Sequence, residues 1–297
     1  MFGPDEIAFL DTNVETYNPI LANEKEAASC WKTYYPCENG TVLNEMFRPE
    51  LLTKPACSYS LTPNSNKTIV ILGNSFALNQ SKGILKAIKE AKTKFNKAYL
   101  LVVYGCNVLT GNLVLAGHQH CTKVDKIHSN FLKELKPDVV IFSGRFDQIR
   151  GLRDPIPPED EITKHKNYKQ LQNILKYANF TKKFILIETN PVDTITRKYH
   201  SPLKISEDLL ARREINQYIK YVKAYNETNY KAWEWVKTVT AKCKNCKIVP
   251  TRDLFCDEKI CNFVDIKSKL GLYCDESHIT PRTSLKLIPR IKDAIDN

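Results

Sequence analysis

Ser75 and His278 are the two residues whose type and setting could support nucleophilic catalysis. Ser75 follows the apolar run TIVILG, residues 68–73, and His278 stands in the segment CDESHITP with Asp275 three residues before it. A serine hydroxyl becomes a nucleophile when an imidazole takes its proton, and a carboxylate on the other ring nitrogen fixes the tautomer of that imidazole. The sequence therefore predicts Ser75 as the nucleophile, His278 as the base and Asp275 as the residue that orients it.

Each of these residues also has a purely structural interpretation. A serine between a strand and a helix is a common N-cap, because its oxygen accepts hydrogen bonds from the first N–H groups of the helix. A Gly-x-Ser triplet after a strand is a weak motif. His278 could be a surface loop histidine and Asp275 a turn former. Only the combination of the two segments favours catalysis.

Alternating strands and helices must bring the serine and the histidine together. Short apolar runs predict strands at 68–73, 98–105, 138–144, 183–189 and 247–255. Helix-period segments predict helices at 80–95, 122–136, 163–179, 206–237 and 281–295. The first four runs are almost continuously apolar, which is typical of parallel strands covered on both faces. We therefore predict an α/β fold, a three-layer α/β/α sandwich with a parallel sheet of about five strands. Ligands bind such sheets at the carboxyl ends of the strands, where Ser75 and His278 fall.

The first 65 residues lack this alternation. They contain Cys30, Cys37 and Cys57 among tyrosines, prolines and asparagines. We predict an irregular N-terminal extension over 1–65 that is tethered to the core by disulfides, and a single α/β domain over 66–297.

The cysteines indicate the compartment of the protein. The chain of 297 residues has ten of them, spread from Cys30 to Cys274, and this usage favours an oxidising environment. Sequons agree with a lumenal or secreted route; they lie at Asn39, Asn66, Asn79, Asn179 and Asn226. The opening MFGPDEIAFLD does not form a signal peptide, so we expect a membrane part upstream of this chain. The alternative is a cytosolic protein with free thiols.

Four of the cysteines admit a second interpretation. Cys243, Cys246, Cys256 and Cys261 could supply the thiolates of a tetrahedral zinc site. A zinc site would leave six cysteines unexplained, so we interpret all of them as disulfide-bonded and expect no metal.

The net charge of +11 has a structural explanation. In the segment 81–98, apolar residues form one stripe of a helix and lysines occupy the outer face. No aromatic-basic interleaving or known nucleic-acid module is present, so we expect solvated helix surfaces and no nucleic-acid partner.

Together, the Gly-x-Ser and Asp-x-x-His segments resemble the SGNH, or GDSL-like, hydrolase superfamily, which has a flavodoxin-like fold. Over about residues 66–295 the chain is similar to the SGNH domain at the C-terminus of acyltransferase-3 type membrane O-acyltransferases. The shared features are a cysteine pair after the second strand, the segment VVIFSGRF with Arg145 and Phe146, and LFCDEKICNF followed by LYCDESH. The resemblance implies two disulfides, Cys106 with Cys121 and Cys256 with Cys261.

The chain departs from the family pattern at two points that concern the oxyanion hole. The usual Gly-Asp-Ser is Gly73-Asn74-Ser75 here, and the asparagine donor of the third block has no counterpart near Arg145. We therefore assign the oxyanion donors to the Ser75 N–H, to a group from Gly105 to Asn107, and to the Arg145 guanidinium.

The resemblance implies an O-acyltransferase or esterase that acts on acyl esters of a carbohydrate, with acetyl as the expected acyl group. A membrane acyltransferase domain would deliver the acyl group, and the chemistry requires no metal or diffusible cofactor. An inactive SGNH fold that binds a glycan or a partner protein is the alternative, and a cytosolic serine hydrolase is a third. The loop residues Asn190, Pro191, His118 and His120 lie at the same sheet edge, and we interpret them as ordinary loop residues.

Overall fold

The structure is a computed structural model that describes residues 17–31, 38, 56–110, 121–147, 149–192, 200–221 and 230–297. Five residues of the sequence predictions lie outside these ranges: Cys37, Asn39, His118, His120 and Asn226. Within the described ranges, every helix is too short or too polar to cross a bilayer.

A six-stranded sheet forms the centre of the molecule. The described residues contain ten strands, of which six form this sheet and four form two small two-stranded sheets: β1 Ala56–Ser60, β2 Thr68–Gly73, β3 Lys97–Val102, β4 Val139–Ser143, β5 Lys183–Ile187, β6 Ile219–Tyr221, β7 Cys246–Val249, β8 Ile260–Asn262, β9 Val264–Asp265 and β10 Leu270–Gly271. The sheet has the order β1-β3-β2-β4-β5-β7. Five strands are parallel, as predicted, and the edge strand β1 runs antiparallel to β3. The strand order reverses between β2 and β4, which makes this point the topological switch point of the sheet.

Helices cover both faces of this sheet. The described residues contain nine α-helices: α1 Pro19–Ser29, α2 Ser75–Glu90, α3 Cys121–Leu135, α4 Glu159–Ile162, α5 Lys166–Leu171, α6 Asn173–Ala178, α7 Pro202–Leu210, α8 Lys231–Thr240 and α9 Ile288–Asp296. Along β2, Ile69 and Ile71 pack into one core with α2 and α9, while Val70 and Leu72 pack into the other with α3 and α8. All four side chains have no exposed surface. The predicted three-layer α/β/α sandwich is therefore confirmed.

The helix predicted over 206–237 is wrong. The chain forms α7, a 3₁₀ turn at Ile215–Tyr218, the strand β6 and, after residues outside the described ranges, α8. Residues 211–214 are all exposed, and Arg212 has a φ of 55°. No apolar stripe continues through this stretch, so nothing holds a helix there.

The N-terminal extension contains regular structure that the sequence did not reveal. Residues 19–29 form α1, and residues 56–60 form the edge strand β1. The disulfide Cys30–Cys274 joins the end of α1 to the C-terminal part of the chain. The prediction of an irregular extension is therefore wrong for these two segments, and the domain boundary at residue 65 stays a prediction.

The sequons in the described ranges differ in accessibility. Asn66 and Asn179 are exposed, whereas Asn79 is 4% exposed inside α2. The side chain of Asn79 is packed between α2 and its neighbours and has no room for a glycan. The sequon at Asn79 therefore does not mark a glycosylation site in the folded protein.

Candidate active site

Ser75 is the first residue of α2 and lies at the switch point of the sheet. Asn74 occupies the N-cap position, because its Oδ1 accepts a hydrogen bond from the Phe76 N–H at 3.1 Å. The N-cap interpretation of Ser75 is therefore wrong, and its hydroxyl is available for another partner. Just before this turn, Gly73 has a φ of 156°, and a Cβ there would come within 1.9 Å of the Ser143 carbonyl oxygen. Only glycine fits this close approach of β2 to β4.

The side chains of Ser75, His278 and Asp275 meet at this point. Nε2 of His278 lies 2.7 Å from Oγ of Ser75, and Nδ1 lies 2.8 Å from Oδ2 and 3.0 Å from Oδ1 of Asp275. A proton held on Nδ1 by the carboxylate leaves Nε2 as the acceptor for the serine hydroxyl. The distances fit a nucleophile, its base and an orienting carboxylate, while the catalytic roles stay a prediction.

The loop around Asp275 keeps its carboxyl group ionised. Burial alone would raise the pKa of Asp275, but the hydrogen bond and charge of His278, together with backbone N–H groups, hold this pKa below its ordinary value. Oδ1 accepts hydrogen bonds from the N–H groups of Ser277 and His278, both at 2.8 Å. The Asp-x-x-His spacing therefore forms a turn in which the backbone fixes the carboxylate and the carboxylate fixes the imidazole.

A chain of buried polar side chains lies beneath this group of residues. The Ser143 hydroxyl donates to Oε1 of Gln80 at 2.7 Å, and Nε2 of Gln80 donates to Oδ1 of Asn190 at 3.3 Å. Asn190 then donates to the carbonyl oxygen of Ser277 at 2.8 Å. The three side chains are each 1% exposed, so water does not substitute for these bonds.

Asn190 lies in a loop, as interpreted, and its buried side chain has a structural role there. Its amide connects the end of β5 to the loop that carries His278. The position of Asn190 at the carboxyl end of a buried strand was the only signal in the sequence, and many loop asparagines share it.

The predicted oxyanion donors lie in the loops that follow β3 and β4. Gly105 has a φ of 71°, which allows the turn after β3. The Asn107 amide donates to the carbonyl oxygen of Arg145 at 2.8 Å, so it joins the two loops. The Arg145 guanidinium forms a two-pronged ion pair with Asp147, at 2.7 and 3.0 Å. These bonds hold both side chains in structural contacts, and a role for Gly105, Asn107 or Arg145 as an oxyanion donor stays a prediction.

Four disulfides are present among the described residues. Cys106–Cys121 and Cys256–Cys261 confirm the two predicted pairs. Cys30–Cys274 and Cys243–Cys246 are pairs that the sequence did not assign. Because the four cysteines of the zinc interpretation form two disulfides, that interpretation is wrong.

Aromatic rings flank the imidazole of His278. The ring centroids of Phe76 and Trp31 each lie 4.8 Å from the imidazole centroid. Phe76 is buried in α2, whereas Trp31 follows α1 and is exposed. The N-terminal extension therefore contributes a side chain to the candidate site, which the sequence gave no reason to expect.

Comparisons with known proteins agree with this architecture. A search of curated protein sequences finds no match. Among solved structures, the periplasmic domain of a lipopolysaccharide acetyltransferase from Salmonella ser. Paratyphi A aligns with 91% of this chain and 99% of that domain, at 16% identity and a TM-score of 0.53. A second solved structure is a catalytic mutant of Axe2, an acetylxylan esterase from Geobacillus stearothermophilus. The alignment covers 78% of this chain and 94% of the Axe2 chain, at 13% identity and a TM-score of 0.45.

The first of these likenesses supports the fold. The decisive comparison is with the family model of the SGNH domain fused to AT3 domains, which matches residues 37–293. The segments that carry Ser75, Asp275 and His278 all fall inside this match. The chain belongs to the family of SGNH domains that are fused to AT3 domains.

Proposed function

We propose that this domain is a serine-dependent O-acyltransferase or esterase that acts on acyl esters of a carbohydrate or glycoconjugate, with acetyl as the acyl group. The observation that supports it best is the Ser75–His278–Asp275 contact, in which Ser75 Oγ lies 2.7 Å from His278 Nε2. Membership of the SGNH family agrees with acyl-ester chemistry.

The first half-reaction forms an acyl-enzyme. Oγ of Ser75 attacks the ester carbonyl carbon while His278 Nε2 takes the hydroxyl proton, and the ionised Asp275 stabilises the imidazolium. The tetrahedral intermediate then collapses, the bond to the alcohol oxygen breaks, and His278 returns the proton to that oxygen. Ser75 is left carrying the acyl group.

The second half-reaction determines whether the enzyme hydrolyses or transfers. Water or a sugar hydroxyl gives its proton to His278 and attacks the acyl carbon, and the Ser75 oxygen leaves and regains the proton. A sugar hydroxyl as the nucleophile gives an O-acylated carbohydrate, whereas water gives a free acid. In the proposal, a membrane acyltransferase domain of the kind found in this family supplies the acyl group.

The oxyanion of the tetrahedral intermediate requires N–H donors. The first N–H groups of a helix have no acceptor within the helix, and the Ser75 N–H opens α2, so this group is the first donor. Backbone N–H groups of the Gly105 to Asn107 loop are the proposed second source. Removing one such donor typically lowers the rate about 100-fold or more.

The site is proposed to work outside the cytosol. Four disulfides occur among the described residues, and disulfides persist in oxidising compartments. We propose a lumenal or extracellular location with membrane association through the acyltransferase part.

A second candidate function is an inactive SGNH fold that binds a glycan or a partner. The hydrogen bonds of Asn107 and Arg145 support it, because both side chains already bond to other groups of the loops after β3 and β4. Activity measurements separate the two functions directly.

Hydrolysis of 4-nitrophenyl acetate by the purified, disulfide-bonded domain tests the proposal. We expect the Ser75→Ala variant to lose about 10⁴-fold in kcat. The matched control is Ser60→Ala. Ser60 is exposed and pairs with the first residue of β3, so it lies at the amino ends of the parallel strands, away from the site. Equal activity of wild type and Ser75→Ala would contradict the proposal.

A further inference from the structure

Trp31 combines two features that burial in a protein core does not explain. Its side chain is 47% exposed, and its backbone has a φ of 65°, a left-handed conformation that bulky residues rarely adopt. A left-handed residue just after a helix is a common way for the helix to end, and Lys136 and Arg212 have the same conformation after α3 and α7. The backbone conformation therefore ends α1, and the exposed indole is the feature that needs a functional reason.

The indole of Trp31 brings an exposed aromatic surface next to the reacting atoms. Its ring meets the His278 imidazole edge-to-face, with the centroids 4.8 Å apart. Phe76 contacts the same imidazole from a buried position, at 2% exposure, and already supplies its apolar packing. The imidazole that contacts Trp31 also contacts the hydroxyl of Ser75, at 2.7 Å through Nε2.

A disulfide fixes Trp31 to the loop that carries the triad residues. Cys30, its chain neighbour, bonds to Cys274, and Cys274 immediately precedes Asp275. A covalent bond therefore joins the two segments one residue away from each functional side chain. Trp31 and Asp275 cannot separate without large distortion of both segments.

Buried polar contacts hold the preceding helix α1 against the same region. The Asn23 side chain donates to the carbonyl oxygen of Lys269 and accepts from the N–H of Gly271, both at 2.8 Å. Glu26 accepts from the N–H of Arg282 at 3.3 Å. These contacts lie on both sides of the Asp-x-x-His segment in the sequence, so α1 and this loop form one rigid unit.

We propose that Trp31 is a substrate-positioning residue whose indole stacks on the C–H face of the sugar ring that presents its ester or hydroxyl to Ser75. A pyranose has an apolar face of C–H groups and a rim of hydroxyls, and a flat aromatic ring covers the first while the hydroxyls keep their hydrogen bonds. Because the disulfide holds the backbone next to Trp31 and the contact with His278 orients the indole before binding, little conformational entropy is lost when the sugar binds. This inference rests on the proposed function and adds the subsite that would select a carbohydrate.

Steady-state kinetics with two substrates test the subsite. One substrate is 4-nitrophenyl acetate, which has no sugar, and the other is an O-acetylated methyl glycoside. We expect Trp31→Ala to lower kcat/KM for the glycoside, mainly through KM, at least about 10-fold more than it lowers the rate with 4-nitrophenyl acetate. Trp31→Phe keeps a flat ring and should restore most of the loss. The control is Leu210→Ala, an exposed apolar residue of α7 at 72% exposure.

Two results would overturn the inference. Equal losses with both substrates would mean that Trp31 only packs against His278, and unchanged kinetics with both would mean that no sugar contacts it. Thermal unfolding of each variant identifies any loss that comes from misfolding.

Failure of the proposed function gives a different pattern. If wild type hydrolyses neither substrate, a binding experiment tests the subsite without catalysis. Ligand-observed NMR measures binding of the glycoside to the Ser75→Ala variant and to the Ser75→Ala, Trp31→Ala double variant. Loss of the NMR signal only in the double variant would support Trp31, and equal signals in both would contradict it.

Discussion

The side-chain amide of Asn190 donates a 2.8 Å hydrogen bond to the backbone carbonyl of Ser277, the residue before His278. Asn190 follows β5 and is buried, whereas the loop around Ser277 belongs to neither a helix nor the main sheet. This buried amide therefore connects the loop of the candidate base to the carboxyl edge of the sheet. We expect the position of the imidazole relative to Ser75 to depend in part on this bond.

Asn190→Ala should weaken both the fold and the site. The substitution leaves the Ser277 carbonyl and the Gln80 amide without a buried partner, which costs about 1–3 kcal/mol of unfolding free energy. We expect urea denaturation to show this loss and the acylation rate of Ser75 to fall. Asn216→Ala, at an exposed asparagine, is the control and should stay within about 0.5 kcal/mol of wild type. Wild-type stability and rate in Asn190→Ala would refute the role of this amide.

We expect Asn74 to stabilise the fold as the N-cap of α2. Its Oδ1 accepts from the Phe76 N–H, so Asn74→Ala removes the N-cap of α2 and should lower the unfolding free energy by about 1 kcal/mol. Asn74→Asp keeps an equally good cap and restores the residue found in the family motif Gly-Asp-Ser. Asn74 is 2% exposed, so the new carboxylate also has a desolvation cost, and we expect the thermal stability of Asn74→Asp to lie between wild type and Asn74→Ala. A loss in Asn74→Asp as large as that in Asn74→Ala would show that the cap is not the reason.

The lowered pKa of Asp275 predicts a pH dependence of stability. A carboxyl group with a depressed pKa in the folded state stabilises the protein above its ordinary pKa of 3.8, and this contribution is lost as the pH falls through the lowered pKa. We expect Asp275→Asn to be less stable than wild type at neutral pH and the gap to narrow below pH 3.8. Urea denaturation from neutral pH to about pH 3 measures this gap. A gap that widens in acid would contradict the ionised form, and Asp293→Asn, an exposed carboxylate of α9, is the matched control.

The disulfide Cys30–Cys274 should contribute more stability than Cys243–Cys246. The first bridges a sequence separation of 244 residues and the second a separation of 3, and the stabilisation grows with the length of the closed loop. We expect the double variant Cys30→Ser, Cys274→Ser to lose about 2–5 kcal/mol of unfolding free energy. The double variant Cys243→Ser, Cys246→Ser should lose less. Equal losses, or a larger loss in the second variant, would argue against the role of the extension in holding the site.

The sequence predicted the sheet and the three side chains because each has a local signal. Buried parallel strands are continuous apolar runs, so β2 was predicted at its observed residues. Gly73 lies two residues before Ser75 because a side chain there would clash with the Ser143 carbonyl oxygen. Asp275 lies three residues before His278 because its carboxylate accepts a hydrogen bond from the His278 N–H. The sheet topology then places these turns together, since both lie at the carboxyl edge.

Other parts of the site depend on long-range contacts that leave no local pattern. The pairing of Cys30 with Cys274 is one of many possible pairings of ten cysteines, so spacing could not select it. Trp31 lies at the site because this disulfide joins its segment to the loop of His278. Asn190 lies there because the loop after β5 packs against the same loop. The ion pair of Arg145 with Asp147 likewise depends on loop conformation, which the sequence of SGRFD does not determine.

Reaction of the folded domain with a fluorophosphonate is the first measurement for the role of Ser75, because this probe modifies a serine that a base has activated. The domain is produced with its disulfides intact, and mass spectrometry of peptides locates the adduct. We expect modification at Ser75 in wild type, none in Ser75→Ala, and strongly slowed modification in His278→Ala. A folded wild-type domain that stays unmodified at Ser75, or is modified equally fast in His278→Ala, would contradict this role.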